Sequence, residues 1–211
     1  LEARLEAAKL ARENRPRQDQ AEARIPPGVQ DNDADFEALV ARLREAVDAN
    51  PEDPRGLRLL ADNEARLGRF KAARAAQQKL MEVLGDKVGP AEYTDLAELM
   101  ILAAGGYVSP EAEDALTQAL RADPRNQRAR YYSGLTLAQT GRPDIAFRIW
   151  SGLLQDSKET DPWVPLIQRQ LPRVRQRAHQ RGVPHEGARE PGRQPDREKP
   201  MHPPPRGLGR R

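Results

Sequence analysis

The side chains capable of covalent chemistry are few, and their placement does not support it. All three histidines (His179, His185, His202) lie beyond residue 172, so the rest of the chain cannot assemble a Ser/His/Asp set. There is no cysteine. That excludes a thiolate nucleophile, a disulfide framework, Cys-ligated zinc or iron–sulfur, and haem attachment through Cys-x-x-Cys-His. Gly207-Leu208-Gly209 is the one GxG, and it lacks the strand and helix of a phosphate loop. The carboxylate pairs Asp95/Glu98 and Glu111/Asp114 stand at helical i, i+3 spacing, which is the pattern of a solvated helix face. No catalytic residue, metal ligand or cofactor is assigned, and the chain reads as a binding protein. The residues that suit recognition are arginines: Arg55, Arg58 and Arg66, at i, i+3 and i+11, share one face of a predicted helix.

The elements that would carry them follow from composition. The 211 residues are 37% apolar, 32% charged and only 4% aromatic, with 19 prolines. No run approaches the roughly 18–20 apolar residues of a membrane-spanning helix. The chain opens on Leu1 rather than Met and reads as a fragment or a processed form. The net charge of +3 hides two unlike parts: residues 172–211 hold eleven Lys/Arg against four Asp/Glu, and the preceding residues 24 against 28. The 172–211 tail has no aromatic side chain and little apolar bulk, so it is expected to be disordered. Without stacking aromatics it is not read as a nucleic-acid site.

Ahead of the tail lie two further segments. Residues 1–33 comprise a short Ala-rich helix, 1–13, and a linker carrying Pro16, Pro26, Pro27 and Gly28. Residues 34–171 are periodic and helical throughout. Phe36, Leu39, Val40, Leu43 and Val47 form one apolar stripe. Pro51 and Pro54 end that helix; Leu57, Leu60, Ala61 and Glu64 mark the next, closed by Gly68 as a left-handed cap.

A repeat is visible within this segment. Asn50-Pro51-Glu52-Asp53 matches Asp123-Pro124-Arg125-Asn126, and Leu67-Gly68-Arg69 with Ala73 matches Thr140-Gly141-Arg142 with Ala146. Glycine turns the chain between two antiparallel helices, the small Ala lets them approach, and proline ends the second. This is the pattern of a tetratricopeptide (TPR) unit. The two glycines are 73 residues apart, roughly two 34-residue periods plus five. A diverged middle unit must fill the gap. Tyr93, Leu96, Ala97 and Met100 supply its first helix, and Ala112, Leu116 and Ala119 its second, with Ser109-Pro110-Glu111 as the N-terminal signal. The extra residues are expected before Pro90 and at Gly105–Ser109. Asp161-Pro162-Trp163 opens a capping helix with Leu166, Ile167 and Leu171 on its apolar side, and Pro172 is expected to end it. The expected fold is all-α: a TPR solenoid of about three repeats with a flanking N-terminal helix and a C-terminal cap.

In such a stack the first helix of each pair lines the concave side. The predicted peptide-binding positions are Arg55, Arg58, Asp62 and Arg66 in unit one, Thr94, Glu98, Ile101 and Leu102 in unit two, and Arg128, Tyr131, Leu135 and Gln139 in unit three. A basic rim beside a partly apolar centre suits an amphipathic helix with a carboxylate end.

The run Tyr93-Thr94-Asp95-Leu96-Ala97-Glu98, then Leu102-Ala103-Ala104-Gly105-Gly106 and Ser109-Pro110-Glu111-Ala112, resembles the c-type cytochrome biogenesis family CcmI (CycH) of α-proteobacterial kind. So do Ala129-Arg130-Tyr131-Tyr132, Gln139-Thr140-Gly141-Arg142-Pro143-Asp144, Ala146-Phe147-Arg148-Ile149-Trp150 and Asp161-Pro162-Trp163-Val164-Pro165. The likeness covers about 34–170, and the sequence after Pro172 does not share it. The resemblance implies a bacterial inner-membrane protein with two membrane helices ahead of this segment, which faces the periplasm. It implies a chaperone that holds the C-terminal helix of apocytochrome c for the haem-ligation complex and performs no covalent chemistry. The alternative is a generic TPR scaffold for another protein partner.

Overall fold

Proline, a side-chain cap or both start several of the helices. In the computed structural model, which describes residues 2–24 and 34–181, Asp53 accepts hydrogen bonds from the amides of Arg55 (3.0 Å) and Gly56 (3.1 Å) ahead of Pro54. Ser109 accepts from Ala112 (3.1 Å) ahead of Pro110, and Asn126 from Ala129 (2.9 Å). Each cap satisfies amides that the first helical turn leaves without a partner. The helices are α1 (Glu2–Glu13), α2 (Gln18–Glu22), α3 (Ala34–Ala49), α4 (Pro54–Arg66), α5 (Phe70–Leu84), α6 (Pro90–Ala103), α7 (Pro110–Ala122), α8 (Gln127–Gln139), α9 (Pro143–Asp156) and α10 (Trp163–Arg181). No strand occurs among the described residues.

From α4 to α9 the chain forms three antiparallel pairs: α4/α5, α6/α7 and α8/α9. The turn inside each pair repeats. Gly68, Gly105 and Gly141 have φ of 64°, 61° and 76°, and the next amide bonds back five residues, from Arg69 to Glu64, Gly106 to Ile101 and Arg142 to Leu137 (2.7–2.8 Å). Those φ values favour glycine because a Cβ would meet the neighbouring carbonyl. The extra residues of the middle unit appear as the 3₁₀ turn Gly85–Lys87 and the widened Gly105–Ser109 turn.

Small residues set the pair spacing. Ala73, Ala112 and Ala146 are fully buried, as are Ala97, Ala119 and Ala129. The third pair packs especially closely at Gly134, where an added Cβ would lie 2.2 Å from Trp150 Nε1. The indole lies flat across α8, donates to the Tyr131 carbonyl at 3.0 Å and stacks on the Tyr131 ring. Trp150, Leu153, Leu116, Ile101 and Ile167 anchor the main core, and a smaller one gathers Val47, Leu57 and Leu80.

Three expectations are corrected. The closing helix does not stop at Leu171; α10 passes through Pro172 to Arg181. Proline costs one backbone hydrogen bond there, but Val174, two residues on, is buried in the main core and extends the stripe from Ile167 and Leu171. In α3, Val40 and Val47 are buried but Leu39 is 59% exposed. The segment after Glu13 is not a plain linker, because it holds α2. Gln18 and Glu22 of α2 are buried against the widened turn. Gln18 Nε2 donates to Glu22 and to the Met100 carbonyl (both 2.8 Å), and Ser109 Oγ donates to Gln18 Oε1 (2.6 Å). Arg74 of α5 sits 3.0 Å from Glu22, and the Tyr107 hydroxyl donates to the Pro16 carbonyl at 3.1 Å. The remaining linker, 25–33, and the tail beyond 181 lie outside the described residues.

Candidate protein-binding face

Consecutive first helices are linked side by side. Arg58 of α4 reaches Glu92 of α6 at 2.8 Å, and Arg128 of α8 grips both Glu98 (3.1 Å) and Asp95 of α6. These pairs form one layer from α4, α6 and α8, while α5, α7 and α9 form the other. The open stripe of the first layer runs through Arg55, Leu59, Asp62 and Arg66 on α4. It continues along Asp95, Glu98 and Leu102 on α6, and Arg128, Leu135 and Gln139 on α8. Leu59 is 52% and Leu102 39% exposed.

The predicted positions divide. Arg55, Asp62 and Arg66 are exposed as expected, with the Arg66 guanidinium 4.7 Å above the Phe36 ring. Arg58, Glu98 and Arg128 reach the face but are occupied in ion pairs between repeats. Thr94 is not on the face: it is fully buried and its hydroxyl donates to the Pro90 carbonyl (2.7 Å), a turn back in its own helix. Ile101 is buried in the core. Tyr131 is 5% exposed, stacked on Trp150, and its hydroxyl meets Gln170 of α10. The capping helix covers that end of the layer, which turns an expected contact residue into core. Leu135 is half-buried against the core. Gln139 clips the inter-helix turn, donating to the Gly106 carbonyl (2.7 Å) and accepting from the Val108 amide (2.9 Å).

Leu59 and Asp95 were missed. Both follow from helical spacing, since Leu59 stands four residues after Arg55, and Asp95 three before Glu98 and seven before Leu102. The structure also brings Tyr132 against Glu98; burial, and then Glu98, hold its hydroxyl protonated far above the ordinary phenol range.

The carboxylates on α6 are held in opposite senses. Burial pushes Asp95 upward, Arg128 opposes this without cancelling it, and Asp62 and Glu92 add to it. Burial also acts on Glu92, but Arg58 and the amides of Glu92 and Gly89 outweigh it, so Glu92 lies below its ordinary 4.5. A raised carboxylate loses native stability as pH rises through its window, whereas a lowered one loses it as pH falls. Asp95→Asn is therefore expected to leave thermal stability at neutral pH unchanged or raised. Glu92→Gln should lower it by about 1 kcal/mol and flatten the loss seen on acidification below pH 4.5. Melting curves across pH check both.

A cleft of about 790 Å³ opens between α1 and the Tyr107 and Gly141 turns, with Gln139 in its lining. Among the described residues no group of three or more His, Cys, Asp or Glu could hold a metal ion, and no helix is long and apolar enough to cross a membrane.

Comparisons with known proteins agree with this arrangement. A tetratricopeptide repeat family model matches residues 34–82 and 109–150, which are α3–α5 and α7–α9. A crystal structure of MamA superposes with a TM-score of 0.50 at 16% identity, covering 70% of this chain and 91% of that one, which bears on the fold alone. A cytochrome c-type biogenesis protein CycH from Bradyrhizobium diazoefficiens is 37% identical over 139 residues, 66% of this chain and 37% of that protein. A CycH from Rhizobium meliloti is 34% identical over 137 residues, 65% and 35% of the two chains. The matched stretch thus spans little more than a third of those relatives' length. The chain thus carries tetratricopeptide repeats, and about two thirds of its length is similar to the cytochrome c-type biogenesis proteins CycH.

Proposed function

We propose that this chain is the client-binding part of a cytochrome c maturation protein, holding the C-terminal helix of apocytochrome c for the haem-ligation complex. The supporting observation is the similarity to CycH over about two thirds of a chain that also carries tetratricopeptide repeats. The first-helix face offers what an amphipathic helix needs. Leu59 and Leu102 provide apolar contact, Arg55 and Arg66 provide cations toward one end, and ion pairs between repeats hold the face in shape. The work is binding rather than bond-making. In the same reading the chain faces the bacterial periplasm from the inner membrane, tethered through sequence outside this chain.

The test is titration of the folded chain with a synthetic peptide of an apocytochrome C-terminal helix. Saturable binding is expected. A folded sample that shows none would leave a TPR scaffold for some other protein.

A further inference from the structure

The capping helix carries more arginines than any other helix among the described residues. Arg169, Arg173, Arg175, Arg177 and Arg181 all lie in α10, which contains no acidic residue. Its buried side runs through Val164, Ile167 and Val174. On the exposed side Arg169, Arg173 and Arg177 stand at i, i+4 and i+8, roughly 6 Å apart along the axis. Among the described residues no carboxylate lies within ion-pair distance of these three, whereas Arg58 and Arg128 of the first-helix face are both occupied. Arg169 is close enough to Tyr131 to act on its hydroxyl, so the row begins where the first-helix layer ends. Like charges at i, i+4 weaken an isolated helix, and here nothing on the same helix offsets them.

The surroundings select the ligand. Between the arginines the exposed side chains include Gln168, Gln176 and Gln180, which hydrogen-bond but do not insert into acyl chains. The only large exposed apolar residue of α10 is Leu166, too little for a membrane-binding face. No exposed aromatic ring is present on the row to stack a base. What remains is a line of planar, two-pronged donors matched to carboxylates spaced along a helix.

We propose that Arg169, Arg173 and Arg177 dock an acidic helical segment of the protein partner, extending the first-helix face beyond the last repeat. This rests on the reading of that face as a client-binding surface.

The test uses the full chain and the variant R169Q/R173Q/R177Q, with helicity checked by circular dichroism. The probes are a synthetic helical peptide with glutamates at i, i+4 and i+8, its glutamine counterpart, phosphatidylglycerol vesicles and poly(U). The acidic peptide should bind the wild type and weaken between low salt and about 200 mM salt. The variant should lose about tenfold or more in affinity, and the glutamine peptide should not bind. Equal binding by wild type and variant, or by both peptides, would overturn the proposal. So would row-dependent binding of vesicles or poly(U) without the acidic peptide. The apocytochrome peptide, run in parallel, separates the two readings. If it binds wild type and variant alike while the acidic peptide binds neither, the row fails and the client-binding reading stands. If it does not bind but the acidic peptide binds through the row, the row stands and the cytochrome assignment fails.

Discussion

Gly134→Ala is expected to destabilise the third helix pair by about 2 kcal/mol or more, although alanine is the better helix former by about 1 kcal/mol. Glycine's permissive backbone is not what the position needs, because Gly134 lies within the regular α8 helix. The need is steric: the added carbon would fall 2.2 Å from Trp150 Nε1 and 2.6 Å from its Cδ1. The indole has no room to retreat, being fully buried, packed on Tyr131 and tied to the Tyr131 carbonyl. To admit the methyl, α8 and α9 must separate or the indole must give up its hydrogen bond. Chemical denaturation followed by tryptophan fluorescence reads this directly. A variant as stable as the wild type would show that the helices do not approach as closely as described.

Gln18→Ala should release the N-terminal segment while leaving the repeats folded. One amide side chain holds Met100, Ser109 and Glu22, in a site where only 3% of Gln18 is exposed. Truncating it leaves the Met100 carbonyl with the Ala104 amide as its one remaining donor, takes the acceptor from the Ser109 hydroxyl proton, and leaves the Glu22 carboxylate to Arg74 and Lys71 alone. The expected cost is about 2–3 kcal/mol, because each buried polar group that loses its partner costs about 1–3 kcal/mol. α1 contributes no buried side chain to offset this. Amide exchange and proteolysis should accelerate across residues 2–24, with the main unfolding transition little changed. Unaltered protection of that segment would mean that other contacts, such as Arg12 and Arg15 with the start of α7, suffice to dock it.

The repeats were legible because their determinants are local. Gly68 and Gly141 need a left-handed backbone, Pro54, Pro110 and Pro143 open helices, and Ala73 and Ala146 mark close approach. Each is a property of one residue at one spacing. The misplaced parts depend on neighbours distant in sequence. Pro172 is a helix breaker in isolation, and only the buried place for Val174 on the main core carries α10 past it. Gln18 and Glu22 are ordinary polar residues until the widened Gly105–Ser109 turn encloses them. Tyr131 has the spacing of a face residue, but α10 folds back over it. Helical periodicity states which residues share a face; it does not state which face a later helix will cover.

The most direct measurement of the central claim is the apocytochrome-peptide titration, repeated on two variants of equal helicity. One is Leu59→Glu/Leu102→Glu, which places charge on the open first-helix stripe. The other is Arg121→Glu, which alters the exposed side of α7 in the second layer. The first is expected to weaken binding by about tenfold or more, since buried apolar anchors dominate such interfaces, and the second to bind as the wild type does. Equal affinity in all three, or a loss confined to Arg121→Glu, would contradict the assignment of the first-helix face as the binding surface.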